Sequence, residues 1–299
     1  MPGAFDKGGI EMVVKKIAFL GTGVMGASVV NHLLDSNYEV AIYTRTKEKA
    51  RSLIEAGAVW SDTVAGAVND AELVFTMLGY PVDVEDVYFG DGGIFSTGKA
   101  GQILIDMTTS SPALAIRIAK AGDKLRMPTV DAPVSGGDIG AKNGTLSIMC
   151  GGEEEVFNAI TPVLSVFGKQ IVYQGLAGSG QHAKMCNQIA IATNMIGVCE
   201  ALAYAEKAGL DTETVLKSIS TGAAGSWSLS NLAPRMLDGD FEPGFYVKHF
   251  MKDITIALKE AEAMQLALPG LQLASEMYDK LVEKGFGDKG TQVLYKSYL

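Results

Sequence analysis

An apolar run, Lys15–Lys16–Ile17–Ala18–Phe19–Leu20, feeds directly into Gly21–Thr22–Gly23–Val24–Met25–Gly26, and an apolar, helix-like run from Ala27 to Leu34 follows. This order reads as strand, tight glycine turn, helix. In a G-x-G-x-x-G turn the first glycine permits the turn. The second lets the backbone approach a pyrophosphate, and the third lets the helix pack close on the strand. N–H groups and the dipole at the helix start then face the phosphates. The pattern predicts a dinucleotide site built on Gly21, Thr22, Gly23, Val24, Met25 and Gly26. A structural glycine turn in another α/β unit is the alternative.

Tyr38–Tyr43 reads as the second strand, ending in Thr44–Arg45–Thr46. An NAD site is expected to carry an acidic residue about 20 residues after the glycines, where it accepts from the ribose 2′-hydroxyl. Thr44 and Arg45 stand there instead. Without the carboxylate a 2′-phosphate is not repelled, and a guanidinium can bind it with two hydrogen bonds. The expectation is NADP(H) in preference to NAD; otherwise Arg45 is a solvated loop residue.

Leu73–Leu78 and Ile103–Met107 read as buried strands, and Pro112 opens a helix through Lys124. Strands alternating with helices imply a parallel, doubly wound sheet with ligands at the carboxyl ends of its strands. Met77, Leu78, Thr109 and Ser110 therefore either face the cofactor or merely cap the helix that follows. Val130–Gly137 ends in Ser135–Gly136–Gly137, whose successive backbone N–H groups form either a nest for a carboxylate or a plain turn. Two more strands, Thr145–Cys150 and Lys169–Tyr173, flank a helix over Glu153–Phe167.

The character changes after the run Gly175–Gly180, which reads as a hinge. Gln181–Lys207 is mostly apolar and proline-free, enough for one helix of roughly 40 Å. Lys184, Asn187, Gln188, Asn194 and Glu200 interrupt it, against a membrane span. Helical patterns follow at Thr212–Ser220, Leu229–Leu237, Tyr246–Gln265 and Leu271–Lys284. The expected fold is α/β: a doubly wound Rossmann domain over 13–176, a long connecting helix, and an all-helical substrate and oligomerisation domain over 177–299. Residues 1–12, Gly-rich and patternless, read as a leader or a frayed end.

With 47% hydrophobic and 20% charged residues, the 299-residue chain has ample material for a core. A net charge of −9 opposes a nucleic-acid footprint. Cys150, Cys186 and Cys199 fit no disulfide or zinc spacing, and His32, His182 and His249 are scattered, so no metal site is expected. A reducing cytoplasm suits that cysteine usage.

Lys184 and Asn187 lie three apart, on one face of the long helix. At an interdomain cleft, a preferred place for ligands, a partly desolvated lysine can exchange a proton near neutral pH. A solvated lysine at a helix start is the ordinary alternative. Lys252–Asp253 sits in an amphipathic segment and reads as a solvated pair or as part of the site. Trp227 either lines a pocket or fills a core.

Four motifs occur in order: Gly21–Gly26; Asp131–Ala132–Pro133–Val134–Ser135–Gly136–Gly137; Gly178–Ser179–Gly180–Gln181 leading to Lys184 and Asn187; and Lys252–Asp253 with Ala257–Leu258. In this the chain resembles the β-hydroxyacid dehydrogenase family, which includes 3-hydroxyisobutyrate dehydrogenase, tartronate semialdehyde reductase and glyoxylate/succinic semialdehyde reductases, over about residues 14–295. The resemblance implies Lys184 as general acid in reduction and base in oxidation, with Asn187 orienting substrate. It implies that Ser135, Gly136 and Gly137 hold the substrate carboxylate. Lys252 would close over cofactor and substrate, Asp253 would orient the lysines, and Trp227 would shape the pocket. It further implies a short carboxylate-bearing aldehyde or β-hydroxy acid as substrate, and a homodimer or homotetramer. Imine reductases share the architecture but usually lack the lysine. The alternatives are an NAD-dependent 3-hydroxyisobutyrate or 3-hydroxypropionate dehydrogenase, or a non-catalytic dinucleotide-binding interaction module. Retention of Lys184, Asn187 and Lys252 together favours an enzyme.

Overall fold

A computed structural model describes residues 14–299. The leader reading of residues 1–12 lies outside the described residues. Nine strands form one sheet: β1 (Lys16–Leu20), β2 (Glu39–Tyr43), β3 (Val59–Trp60), β4 (Leu73–Thr76), β5 (Ile103–Asp106), β6 (Thr129–Asp131), β7 (Val134–Ser135), β8 (Leu146–Gly152) and β9 (Gly168–Gly175). The order β3-β2-β1-β4-β5-β6 is parallel throughout, with the topological switch between β1 and β4.

Central strands buried on both faces read as unbroken apolar runs. Successive side chains nevertheless divide between the faces. Ile17, Phe19, Leu73, Phe75, Ile103 and Ile105 join one core with Leu33 and Phe167. Ala18, Leu20, Val74 and Leu104 join the other with Val84, Tyr88 and Ile118. Phe19 stacks on Phe75 with ring centroids 5.9 Å apart. Two packed cores make the sheet doubly wound, as expected.

It is not wholly parallel. Both β6 and β7 run antiparallel along one edge of β8, and β9 runs parallel along the other. A parallel return needs a crossover of a dozen or more residues. The link from β7 to β8 holds only a six-residue helix, Gly137–Lys142, so the chain doubles back instead.

The glycines of the first turn meet different constraints. Gly21 has φ +101°, and a Cβ there would overlap the Met77 carbonyl oxygen. A Cβ on Gly26 would overlap the Gly21 carbonyl oxygen and press on Phe19. A Cβ on Gly23 would meet nothing within 4 Å.

Contact between residues divides the chain after Lys184 into two compact units. The sequence put the boundary at 176/177; the long helix, Ser179–Lys207, explains the difference. Its first turn is tied to the sheet by Asp131, 5% exposed at the end of β6. One carboxylate oxygen accepts the Gly178 N–H at 2.7 Å, and the other accepts the Gln181 N–H at 2.8 Å. A carboxylate from a distant strand thus satisfies helix-start donors that have no partner within the helix. It also sits where the helix dipole favours negative charge. A Cβ on Gly180 would overlap the Met149 and Asp131 carbonyl oxygens. The run 175–180 is therefore a fixed docking point, not the expected hinge.

The second unit is helical. Besides the rest of the long helix it contains Thr212–Ile219, Val247–Ala263 and Pro269–Glu283. The predicted helix over Leu229–Leu237 is two, Trp227–Asn231 and Ala233–Leu237, because Pro234 lacks an N–H and starts the second. Met195, Leu202, Phe250, Ile254, Tyr278 and Leu281 form its core. By length and mean hydropathy alone the long helix is apolar enough to cross a membrane, but Met195, Cys199 and Leu202 are buried within that core.

Two outcomes follow. Gly26→Ala should destabilise the protein by about 1–3 kcal/mol through overpacking, whereas Gly23→Ala should stay within about 0.5 kcal/mol of wild type; urea unfolding separates them. Burial raises the Asp131 carboxyl to about 6 against the two N–H donors that hold it down. The folded state then takes up this proton before the unfolded chain does. As pH falls from about 6 towards 4, this group should add on the order of 1 kcal/mol per unit. The stability difference between wild type and Asp131→Asn should change across that window; a constant difference would show an ordinary carboxyl.

Candidate active site

The glycine turn fits a dinucleotide. Gly23 leaves open the space a side chain would fill, and the helix that starts there, Val24–Asp35, has neither a side-chain cap nor an acidic residue in its first turn. Its leading N–H groups are therefore suited to an anion. Val24, the first residue of that helix, is 66% exposed. Thr22 Oγ1 is a buried hydroxyl with no hydrogen-bond partner among the described residues. Thr44 is half-buried while Arg45 and Thr46 are exposed. The Arg45 guanidinium lies 3.4 Å from Asp83, a carboxylate that also accepts the Tyr80 N–H. The sequence reading overlooked this acid beside Arg45.

The loops after β4 and β5 are joined. Leu78 N–H donates to Thr108 Oγ1 at 2.9 Å, and Thr108 N–H donates to Asp106. Met77 and Leu78 also wall the first glycine. Helix capping does not explain Thr109 and Ser110, because Ser111 is the residue that caps Pro112–Leu125, accepting the Leu114 N–H. Thr109 is half-buried, and Ser110 Oγ is buried without a partner. Gln181 reaches both ends of this loop. Its Nε2 donates to the Thr108 carbonyl at 2.7 Å, and its Oε1 accepts the Ser110 N–H at 2.9 Å.

One turn further along the same helix, Lys184 is 7% exposed, so it is not a solvated helix-start charge. Its Nζ donates to the Val134 carbonyl at 2.7 Å. Val134 precedes Ser135–Gly136–Gly137, where Ser135 is half-buried and pairs with Ser147 of β8. Gly136 and Gly137 have φ of +129° and +63°, turning successive backbone groups without side chains in the way. Within the first unit the structure thus brings together Lys184, the Ser-Gly-Gly turn and, through Gln181, the loops at Leu78 and Thr109. Asp131 and Gln181 lay inside quoted motifs, yet their positioning roles went unread. No spacing rule links a β6 carboxylate to a helix start 47 residues later.

In the second unit a buried chain of polar groups includes three of the expected residues. Asn187 Nδ2 donates to Gln188, and Gln188 Nε2 donates to Asp253 at 2.6 Å. The other Asp253 oxygen lies 3.0 Å from Lys252 Nζ. Asp253 and Lys252 side chains are 2% and 12% exposed, so the solvated-pair reading fails. Burial, then Lys252 and Lys248, lowers the His249 pKa below its usual value. Trp227 is 57% exposed, so it does not fill a core. The Ser226 side chain caps its helix by accepting the Leu229 N–H.

Comparison with known proteins agrees over nearly the whole chain. Residues 16–175 match the family model described as the NAD binding domain of 6-phosphogluconate dehydrogenase. Residues 178–298 match the one described as NAD-binding of NADP-dependent 3-hydroxyisobutyrate dehydrogenase. The chain is 60% identical over 285 residues to the oxidoreductase YkwC of Bacillus subtilis, covering 95% of this chain and 99% of that protein. It is 36% identical over 270 residues to the 2-hydroxy-3-oxopropionate reductase of Escherichia coli, covering 90% and 92%. The solved structure of Mycobacterium tuberculosis 3-hydroxyisobutyrate dehydrogenase with L-serine superposes with a TM-score of 0.87 at 28% identity, covering 95% of this chain and 99% of that one. Fold, motif order and these likenesses agree: the chain belongs to the β-hydroxyacid dehydrogenase family of NAD(P)-binding oxidoreductases, which act on small hydroxy acids.

Proposed function

We propose that this protein is an NADPH-dependent reductase of a short carboxylate-bearing aldehyde, such as glyoxylate, succinic semialdehyde or tartronate semialdehyde, with Lys184 as general acid. The observation that carries this reading is the buried Lys184 ammonium, held by the Val134 carbonyl one residue before Ser135–Gly136–Gly137. An ammonium has three donors, and the Val134 carbonyl takes one of them.

Bound NADPH supplies hydride to the aldehyde carbon. Backbone N–H groups of Ser135, Gly136 and Gly137 hold the substrate carboxylate, which orients the carbonyl. Lys184 donates a proton from Nζ to the carbonyl oxygen as its C=O π bond becomes a C–O single bond, leaving a hydroxyl and a neutral amine. Solvent then reprotonates the amine. In oxidation the neutral amine takes the hydroxyl proton. Asn187 orients substrate. Lys252, fixed by Asp253 as Asp253 is by Gln188, contributes positive charge to cofactor and substrate, and Trp227 shapes the pocket. The glycine turn receives the pyrophosphate, Arg45 takes the 2′-phosphate with Thr44 and Thr46 beside it, and Met77, Leu78, Thr109 and Ser110 line the nicotinamide side.

Support for NADP(H) comes from the missing acid at Thr44 and from the matched family described as NADP-dependent. Asp83 beside Arg45 favours a second reading, an NAD-linked 3-hydroxyisobutyrate or 3-hydroxypropionate dehydrogenase, because its carboxylate opposes a 2′-phosphate. We further propose a cytoplasmic homodimer or homotetramer.

Rates of NADPH and NADH oxidation against glyoxylate, succinic semialdehyde, methylmalonate semialdehyde, tartronate semialdehyde and a cyclic imine test the reading. Strong NADPH preference with one semialdehyde is expected; equal use of NADH removes the Arg45 argument. Lys184→Ala should lower turnover about 10²–10⁴-fold with cofactor still bound. Near-full turnover would falsify the proton-donor assignment. Arg45→Ala should weaken NADP+ binding about 10- to 100-fold, the worth of charge-assisted hydrogen bonds, and leave NAD+ binding nearly unchanged. Fluorescence titration of both cofactors measures this.

A further inference from the structure

We propose that Gln181 is a positioning residue that sets the Lys184 ammonium against the loop after β5. The proposal rests on the reading of Lys184 as general acid. Gln181 is fully buried, and every hydrogen-bonding part of it that faces the sheet is used. Its main-chain N–H donates to Asp131, its Nε2 to the Thr108 carbonyl, and its Oε1 accepts the Ser110 N–H. The amide therefore bridges two main-chain groups of one loop, fixing both its distance from the helix and its rotation. That loop is itself fixed by Thr108, through Leu78 N–H and Asp106. Asp106 is held in turn by the Thr76 hydroxyl at 2.8 Å.

Lys184 lies three residues on, so Gln181 and Lys184 share a helix face. The two side chains are anchored to different segments, Gln181 to 108–110 and Lys184 to Val134. Between them they hold the first turns of the helix against the ends of β5 and β7. Asp131 restrains the helix start, with its two oxygens on the Gly178 and Gln181 N–H groups. Gln181 supplies the link to the 108–110 loop. Without it the Thr108 carbonyl and Ser110 N–H would be buried and unpaired, and the loop would shift to satisfy them. A displacement of about 1 Å at a reacting centre costs on the order of 10²-fold in rate.

The test is a double-mutant cycle of Gln181→Leu and Lys184→Ala. It is read as single-turnover NADPH oxidation with whichever aldehyde of the panel above reacts fastest. Gln181→Leu alone should slow hydride transfer about 10- to 100-fold, with the Kd for NADP+ within about threefold, since the glycine turn is untouched. In the Lys184→Ala background it should add less than about twofold, because a residue acting through the lysine has nothing left to position. Equal slowing in both backgrounds would mark Gln181 as a merely structural group and overturn the proposal. If Lys184→Ala retains nearly full rate, the general-acid reading fails and takes this one with it.

Gln181→Glu is the second variant, for use where Gln181→Leu does not fold. A neutral carboxyl reproduces the amide, with an O–H donor for Thr108 and an acceptor for Ser110; an ionised one cannot donate. Its hydride-transfer rate should rise towards wild type as pH falls, relative to wild type at each pH. A ratio independent of pH overturns the proposal.

Discussion

A buried carboxylate holds this molecule's chemistry in place. Asp131 ends a strand, yet both of its oxygens are spent on the start of a helix far along the chain. The arrangement is costly, because an ionised group is removed from water. It persists because the helix start offers converging N–H donors and a favourable dipole. The helix-borne side of the first unit's site starts from that contact. Gln181 reaches the 108–110 loop, and Lys184 reaches Val134, only because the helix begins where Asp131 places it.

The glycine turn works on the opposite principle. Asp131 fixes by attraction, whereas Gly21 and Gly26 fix by the absence of a side chain where main chain must pass. Gly23 differs from both: no protein atom approaches the place its side chain would occupy. Two glycines thus serve the fold, and the third leaves room beside the helix start. Steric permission acts at the switch point of the sheet, where β1 and β4 lie side by side, and polar closure two strands further on, at the end of β6.

Much of this was legible in the sequence. Continuous apolar strands, the glycine spacing and the change to helical periodicity after Gly180 are local signals, and the corresponding elements are present. Local spacing left Lys184 open to being a solvated helix-start charge; the family resemblance singled it out, and its burial excludes the solvated reading. The parts that escaped depend on distant partners. Nothing in the pattern of Val130–Gly137 indicates that β6 and β7 share an edge of β8. The hinge reading of 175–180 followed from glycine content, yet Gly180 permits close packing onto Met149 and Asp131, and Gly178 onto Ile116 and Pro112. Spacing left Lys252–Asp253 between a solvated pair and part of the site, because helical periodicity does not reveal Gln188 as the partner of Asp253. Trp227 was balanced between pocket and core, and exposure decided only against the core.

Lys184 is anchored on a main-chain carbonyl. The acceptor at position 134 would be there whatever residue occupied it, provided the strand kept its path. Placement of the ammonium is therefore written in topology and not in any one codon. Side chains around such an anchor can diverge while the Val134 carbonyl still receives the ammonium. A scaffold of this kind can change its substrate without having to rediscover its chemistry.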